Sequence, residues 1–293
     1  MLFRSFVLVV MWLVHRLPLS VLARLGAWVG DALWWLIPER HRVTQINLSL
    51  CFPEMSAQAR AQLAREHFRA FARSFIEHAL WWWAPKARIE QLVQLEGLEH
   101  LQACAGRPVI ILAPHFVGLD AAFARLSCTG NFASMYAHQK NPRYDALLLA
   151  GRTRFGQQRL LSRQDGVRAV LRAMGEGLPF YYLPDLDFGP RDAIFVPFFG
   201  IPAATVTGVS RIARVTKAVV LPCVAKMQPG GGGYVAQLLP AWRDFPGTDV
   251  VTDTQRVNAF IEAQVRQMPA QYFWLHKRFK TRPPGMPSFY PKD

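Results

Sequence analysis

Charge is scarce in this 293-residue chain: Asp, Glu, Lys and Arg together make up 18%, against 51% hydrophobic residues. So apolar a chain has ample surface to bury, which excludes intrinsic disorder. Acidic residues are scarcer still, 20 against 34 Lys and Arg, for a formal net charge of +14. That excess favours a polyanionic partner: nucleic acid, an anionic bilayer, or a phosphorylated or acidic substrate. Long apolar runs are missing. Without a stretch of eighteen apolar residues the chain is not a polytopic membrane protein. Cysteine pairs are missing as well. Cys51, Cys104, Cys128 and Cys223 each lie more than twenty residues from the next, so zinc-ligand and CxxC spacings are excluded. Free, buried thiols in a reducing compartment are the reading that remains, and neither a metal nor a cofactor is expected.

Aromatic residues, by contrast, are plentiful, with nine Trp and twenty Phe tilting the choice of polyanion toward the bilayer. Residues 5–14 are apolar between Arg4 and Arg16, but ten residues of helix rise only about 15 Å against a hydrocarbon core of about 30 Å. The run cannot span alone. It lacks a signal-peptide cleavage site, and apolar character resumes through Trp28, Trp34, Trp35, Leu36 and Ile37. Residues 1–37 therefore read as a membrane-associating segment of one or two helices broken near Pro18, or else as a buried hairpin. A helix over 57–80 carries Arg65, Arg69 and Arg73 as one basic stripe and runs into Trp81, Trp82 and Trp83. That pattern fits an interfacial helix with its rings at headgroup level, or a solvated face.

From about residue 107 the pattern alternates. Short apolar runs at 108–113, 180–183, 194–199, 219–224 and 234–239 read as strands, with helices near 118–127, 142–152, 165–174 and 205–215. An α/β fold follows, a mostly parallel sheet flanked by helices, forming one domain over 38–293. The Gly230–Gly233 run lacks the Lys-Ser/Thr of a phosphate loop and reads as a loose connection.

Among eight histidines, His115 stands just beyond the 108–113 strand, where open α/β sheets place their sites, with Asp120 five residues on. Five helical residues turn through about 500°, so the two meet only if His115 precedes the helix and Asp120 lies in its first turns. A carboxylate on one imidazole nitrogen raises the basicity of the other and suits a general base that activates an alcohol. Nucleophilic schemes fare worse: Ser210 lacks the second glycine of a nucleophile elbow and no Cys adjoins a His.

Several stretches then become recognisable together. They are Asn47-Leu48 with Cys51-Phe52-Pro53-Glu54, His115-Phe116 with Asp120, Gly151-Arg152 with Arg154, and Asp185-Leu186-Asp187-Phe188-Gly189-Pro190 leading into 195–200. Pro269, Gln271-Tyr272, Trp274 and the 276–282 segment complete the set. Over nearly its whole length the chain resembles the bacterial lipid A late (secondary) acyltransferases, relatives of the glycerolipid acyltransferases. Leu186 departs from the resemblance, which often has a polar residue between the two acids.

The resemblance implies a glycerolipid-acyltransferase-like fold at the inner membrane, with the catalytic domain facing the cytoplasm. It implies an acyl-carrier-protein thioester as donor and, as acceptor, a hydroxyl of a hydroxyacyl chain on a lipid A precursor, a phosphorylated disaccharide lipid. An anionic membrane surface is the remaining partner, and nucleic acid is not one. His115 would be the base and Asp120 the group holding its imidazole. Arg152, with Arg154, would clamp a phosphate or steady an oxyanion, unless Arg152 is only a helix C-terminal charge. Asp187 would order that arginine or the acceptor sugar, Asp185 would be a cap, and His276 would pack against Trp274. Lys277 and Arg278, with Lys280 and Arg282, would meet the phosphosugar or bilayer, or form a solvated tail. A related acyltransferase acting on a glycerophosphate, ornithine or glycosyl lipid stays open as the alternative.

Overall fold

The computed structural model describes residues 9, 11–139 and 141–291; half of the 5–14 run, residues 5–8 and 10, lies outside them. Three helices come first: α1 (Leu19–Leu36), α2 (Pro38–Cys51) and α3 (Ala57–Trp83). The Ser56 hydroxyl starts α3 by accepting from the Ala59 N–H, one of the donors a helix N-terminus leaves open. There follow α4 (Lys86–Leu92), β1 (Val93–Glu96), α5 (Leu98–Gln102), β2 (Val109–Leu112), α6 (Leu119–Ser127), β3 (Ala133–Tyr136), α7 (Pro142–Arg152), β4 (Arg159–Ser162), α8 (Gly166–Gly175) and β5 (Phe180–Tyr182). The chain continues through β6 (Ala193–Phe198), β7 (Ile201–Val206), α9 (Gly208–Thr216), β8 (Val219–Met227), β9 (Tyr234–Leu238) and α10 (Val250–Gln267).

Seven strands form one sheet in the order β1-β9-β8-β2-β5-β3-β4. Every neighbouring pair is parallel except β8 and β9. Side chains alternate across a strand, so Ile110 and Leu112 of β2 enter one core with α8, α9 and α10, while Val109 and Ile111 enter a second with α6 and the end of α3. Both faces are covered, which is why β2 and β8 read as unbroken apolar runs. The α/β fold and the helices flanking a mostly parallel sheet agree with the sequence reading.

Two strand expectations need correction. The 194–199 run is not in the main sheet: β6 and β7 form a separate antiparallel hairpin, turned by Phe199 and Gly200 with φ of 52° and 74°. The reversed φ matches the type of two-residue turn that the strand twist favours. Because β7 occupies 201–206, the helix expected from 205 begins at Gly208. Nor is the Gly230–Gly233 connection loose, since it closes the β8–β9 hairpin and a Cβ on Gly231 would stand 2.5 Å from the Ser20 nitrogen.

The basic stripe on α3 is also corrected. Arg65 and Arg69 bridge Asp31 of α1 at 2.7 and 2.8 Å, and Arg73 is buried between Glu77 at 2.7 Å and the Gln228 carbonyl at 2.7 Å. The hydrogen bond from Arg69 leads the effects that hold the Asp31 carboxyl down to about 2. The stripe faces α1, and Trp81 and Trp82 are buried in the second core. Close approach makes this possible: a Cβ on Gly26 or Gly30 would lie 2.5 Å from the Cα of Arg73 or Arg69. From Leu19 on, the N-terminal segment is thus docked on the rest of the fold rather than hanging from it. Its outer face carries Trp28, Trp35 and Leu36, each more than 70% exposed. Among the described residues no helix is long and apolar enough to cross a membrane.

Candidate active site

His115 sits three residues beyond β2, and Asp185 three residues beyond β5, its parallel neighbour. Parallel pairing brings both loops out at one end of the sheet, so side chains 70 positions apart meet. The His115 backbone N–H donates to Asp185 Oδ2 at 2.9 Å and its Nδ1–H donates to Oδ1 at 2.7 Å. Burial pushes the Asp185 carboxyl up, but the charge and hydrogen bonds of His115, helped by the Arg278 charge, outweigh it and hold the group below the usual carboxylate range. An ionised Asp185 fixes the proton on Nδ1 and leaves Nε2 as the basic nitrogen. Phe273 stacks on the imidazole, with centroids 6.4 Å apart, and donates its backbone N–H to the His115 carbonyl at 3.0 Å.

The sequence expectation gave this orienting role to Asp120, and the structure corrects it. Asp120 does lie in the first turn of α6, with His115 before the helix, yet both its oxygens are taken elsewhere. Arg152 reaches Oδ1 with Nε at 2.9 Å and Nη2 at 2.7 Å, while His78 Nε2 meets Oδ2 at 3.1 Å. Burial raises the Asp120 carboxyl, but the Arg152 and His78 interactions prevail and hold it well below the ordinary range. Arg152 arrives through α7, which lies close to α3 because a Cβ on Gly151 would stand 2.2 Å from the Trp82 ring. The Arg152 Nη1 edge has no hydrogen-bond partner among the described residues.

Other expected site residues lie away from this constellation. Arg154 packs over the Phe155 ring, its guanidinium 4.4 Å from the centroid, and donates to the Trp81 carbonyl. Asp187 is buried and orders neither an arginine nor the cavity: it accepts from the Thr281 backbone at 2.6 Å, the Thr281 hydroxyl at 2.8 Å and the Gly189 N–H at 2.9 Å. Lys277 pairs with Glu39 at 3.3 Å. Arg278 is only 2% exposed and donates to the Ala204 carbonyl and Thr205 hydroxyl of β7. Lys277, Arg278 and Arg282 fasten their segment to α2 and the β6–β7 hairpin, so it is not a solvated tail. His276 accepts the Asp187 N–H on Nε2 at 2.9 Å, and burial pushes its imidazole down to about 4, so it is occupied and neutral.

A cavity of about 1320 Å³ opens at the same end of the sheet. His115, His78, Asp120 and Arg152 line its head; Tyr182, Met135 and Leu160 carry it past β5 and β3 to the edge strand β4, with Val170, Leu171 and Ile212 of α8 and α9 as its wall. Three strand steps of about 4.8 Å make this roughly 14 Å of largely apolar slot, a shape suited to an alkyl chain. Sequence reasoning missed two members of the site. The sequence offers Asp185 only as a cap and gives no sign of His78; the parallel β2–β5 neighbourhood is the signal that joins the first to His115.

Residues 1–281 match the family described as bacterial lipid A biosynthesis acyltransferase. The lipid A biosynthesis lauroyltransferase of Escherichia coli K12 is 34% identical over 284 residues, covering 96% of this chain and 92% of that one. The lipid A biosynthesis myristoyltransferase of the same organism is 33% identical over 268 residues, covering 90% and 81%. Among solved structures, the 1-acyl-sn-glycerophosphate acyltransferase of Thermotoga maritima aligns over 86% of this chain and 98% of its own, at 14% identity and a TM-score of 0.41. On the whole-length match and the identity to these relatives, the chain belongs to the bacterial lipid A biosynthesis acyltransferases.

Proposed function

We propose that this acyltransferase takes its fatty acyl group from the thioester of an acyl-carrier protein and places it on the hydroxyl of a hydroxyacyl chain of a lipid A precursor. The observation that carries the reading is the pairing of His115 with the buried Asp185 at the head of an apolar slot. His115 Nε2 takes the hydroxyl proton as the oxygen attacks the thioester carbonyl. The tetrahedral intermediate collapses with cleavage of the C–S bond, and the imidazolium returns its proton to the departing thiolate. Asp185 stabilises the imidazolium without taking the proton, and the open Arg152 edge is placed for an anionic oxygen of the intermediate or of an acceptor phosphate.

Charge and exposed surface support the partners and the location. A +14 chain complements an acidic carrier protein and a phosphorylated acceptor. The outer face of α1, with Trp28, Trp35 and Leu36, suits the headgroup region of the inner membrane on its cytoplasmic side, where a soluble carrier protein delivers the thioester. The test uses purified full-length protein, acylated carrier protein and lipid A precursor in mixed micelles. His115→Ala is expected to lower turnover by about 10² to 10⁴ while the chain still folds. Undiminished turnover in that variant sinks the mechanism, and equal rates with an acyl-coenzyme A donor sink the carrier-protein assignment.

A further inference from the structure

His78 projects from α3 into the cavity that His115 also lines. Its two ring nitrogens both meet acceptors: Nδ1 lies 2.9 Å from the Ser74 carbonyl and Nε2 lies 3.1 Å from Asp120 Oδ2. A carbonyl oxygen accepts only, and an ionised carboxylate accepts only. A neutral imidazole has one N–H, so in either tautomer one nitrogen would turn a lone pair toward an oxygen. Both contacts are satisfied together only when the ring carries two protons.

The surroundings favour that cation. Asp120 faces the ring from α6, and Arg152, on α7, is bound to the other oxygen of the same carboxylate. On α3 itself the ring of Trp82 packs edge-on at 5.5 Å, Phe75 lies at 5.8 Å, and Glu77 is taken up by Arg73 and Tyr234. His115, which lines the same cavity, has its own carboxylate in Asp185, and the Tyr181 hydroxyl donates to the Leu119 carbonyl. One carboxylate between Arg152 and a neutral His78 would leave the wall uncharged, whereas a protonated His78 makes it +1.

We propose that His78 is a positioning residue of the transfer reaction, held as an imidazolium that clamps Asp120 from the side opposite Arg152 and gives the cavity wall beside His115 its net positive charge. The inference rests on the acyl-transfer reading for its consequence, since the charge acts where the carbonyl oxygen turns negative. It does not depend on that reading for the proton count. An electrostatic wall in a site partly shielded from water acts on the transition state more than on the bound acceptor.

The test has two arms on the full-length, detergent-purified protein. Ring nitrogen NMR with ¹⁵N-histidine, the His78 signals assigned by their loss in His78→Gln, is expected to show both nitrogens protonated at neutral pH and to revert to the one-proton pattern in Asp120→Asn. A neutral His78 pattern in the unaltered protein overturns the proposal. In kinetics, His78→Gln keeps an amide donor without the charge and is expected to lower kcat by roughly tenfold, less than the 10² to 10³ of losing a donor that touches the oxyanion itself. Acceptor KM should stay nearly unchanged. A shift confined to KM, or an unchanged kcat, also overturns it. Activity surviving in His115→Ala would instead defeat the acyl-transfer mechanism, leaving the ring-proton measurement to judge His78 separately.

Discussion

Arg278 shows how far a residue's role depends on partners that its neighbours in sequence do not announce. Four cations in six positions read as a ligand surface, yet its guanidinium is buried against the Phe198 ring and two acceptors of β7. Arg278→Leu should therefore destabilise the protein by about 2 to 4 kcal/mol, the cost of leaving those acceptors without a charged donor, while the folded fraction keeps its acceptor KM. Chemical denaturation paired with steady-state kinetics checks this; a raised KM at unchanged stability would restore the ligand-clamp expectation. His115 was legible because its address at a strand end is a local property. Its true partner was not, because the His115–Asp185 contact depends on β2 pairing with β5, and pairing order is non-local. The five-residue spacing to Asp120 offered a local substitute that Arg152 and His78 occupy instead.

At the scale of elements, α1 divides its surface between two jobs. Gly26 and Gly30 admit the backbone of α3, and Trp28 and Trp35 face outward. Gly26→Leu would force the helices apart and should cost about 1 to 3 kcal/mol or more in stability. Trp28→Ser with Trp35→Ser should leave the melting temperature nearly unchanged and weaken co-sedimentation with phosphatidylglycerol vesicles. Arg65→Ala breaks one exposed pair, so it should cost under about 1 kcal/mol and leave vesicle binding alone. Vesicle binding lost in Arg65→Ala but kept in the tryptophan variant would return the membrane contact to the α3 stripe. The helical stretches expected for α3, α6, α7 and α8 agree with the structure to within a few residues. The strands β1, β3 and β4 were not read, since four-residue segments such as Arg159-Leu160-Leu161-Ser162 carry no apolar run and owe their conformation to the neighbours they pair with.

For the whole molecule, buried neutral histidines set the acid limit of stability. Burial pushes both His67 and His276 down to about 4, from an ordinary value of 6.5. Above 6.5 neither state binds the extra protons. As pH falls toward 4 the unfolded chain takes them up and the native chain does not, so stability is lost across that window. Each group contributes a slope of up to about 1.4 kcal/mol per pH unit. Denaturation midpoints should accordingly fall between pH 6.5 and 4, with these two rings each taking up a proton on unfolding. A flat profile over that window would contradict the buried, neutral state of these rings. Fold class was readable at this scale from the alternation of apolar runs and helical stretches. The cavity was not, because it is bounded by the ends of four strands and by five helices whose order in space follows from the sheet topology.

The central claim is that His115 acts as general base through Asp185, and it meets its most direct test in the turnover numbers of four purified variants at saturating donor and acceptor. Asp185→Asn, His115→Ala and the double variant are expected to fall together by about 10² to 10⁴, because groups that act as one unit do not lose rate additively. Asp120→Asn, which leaves the His115–Asp185 pair intact, is expected to retain more activity than any of them. Near-normal turnover in folded Asp185→Asn, with Asp120→Asn inactive, would contradict the account and return the imidazole to Asp120.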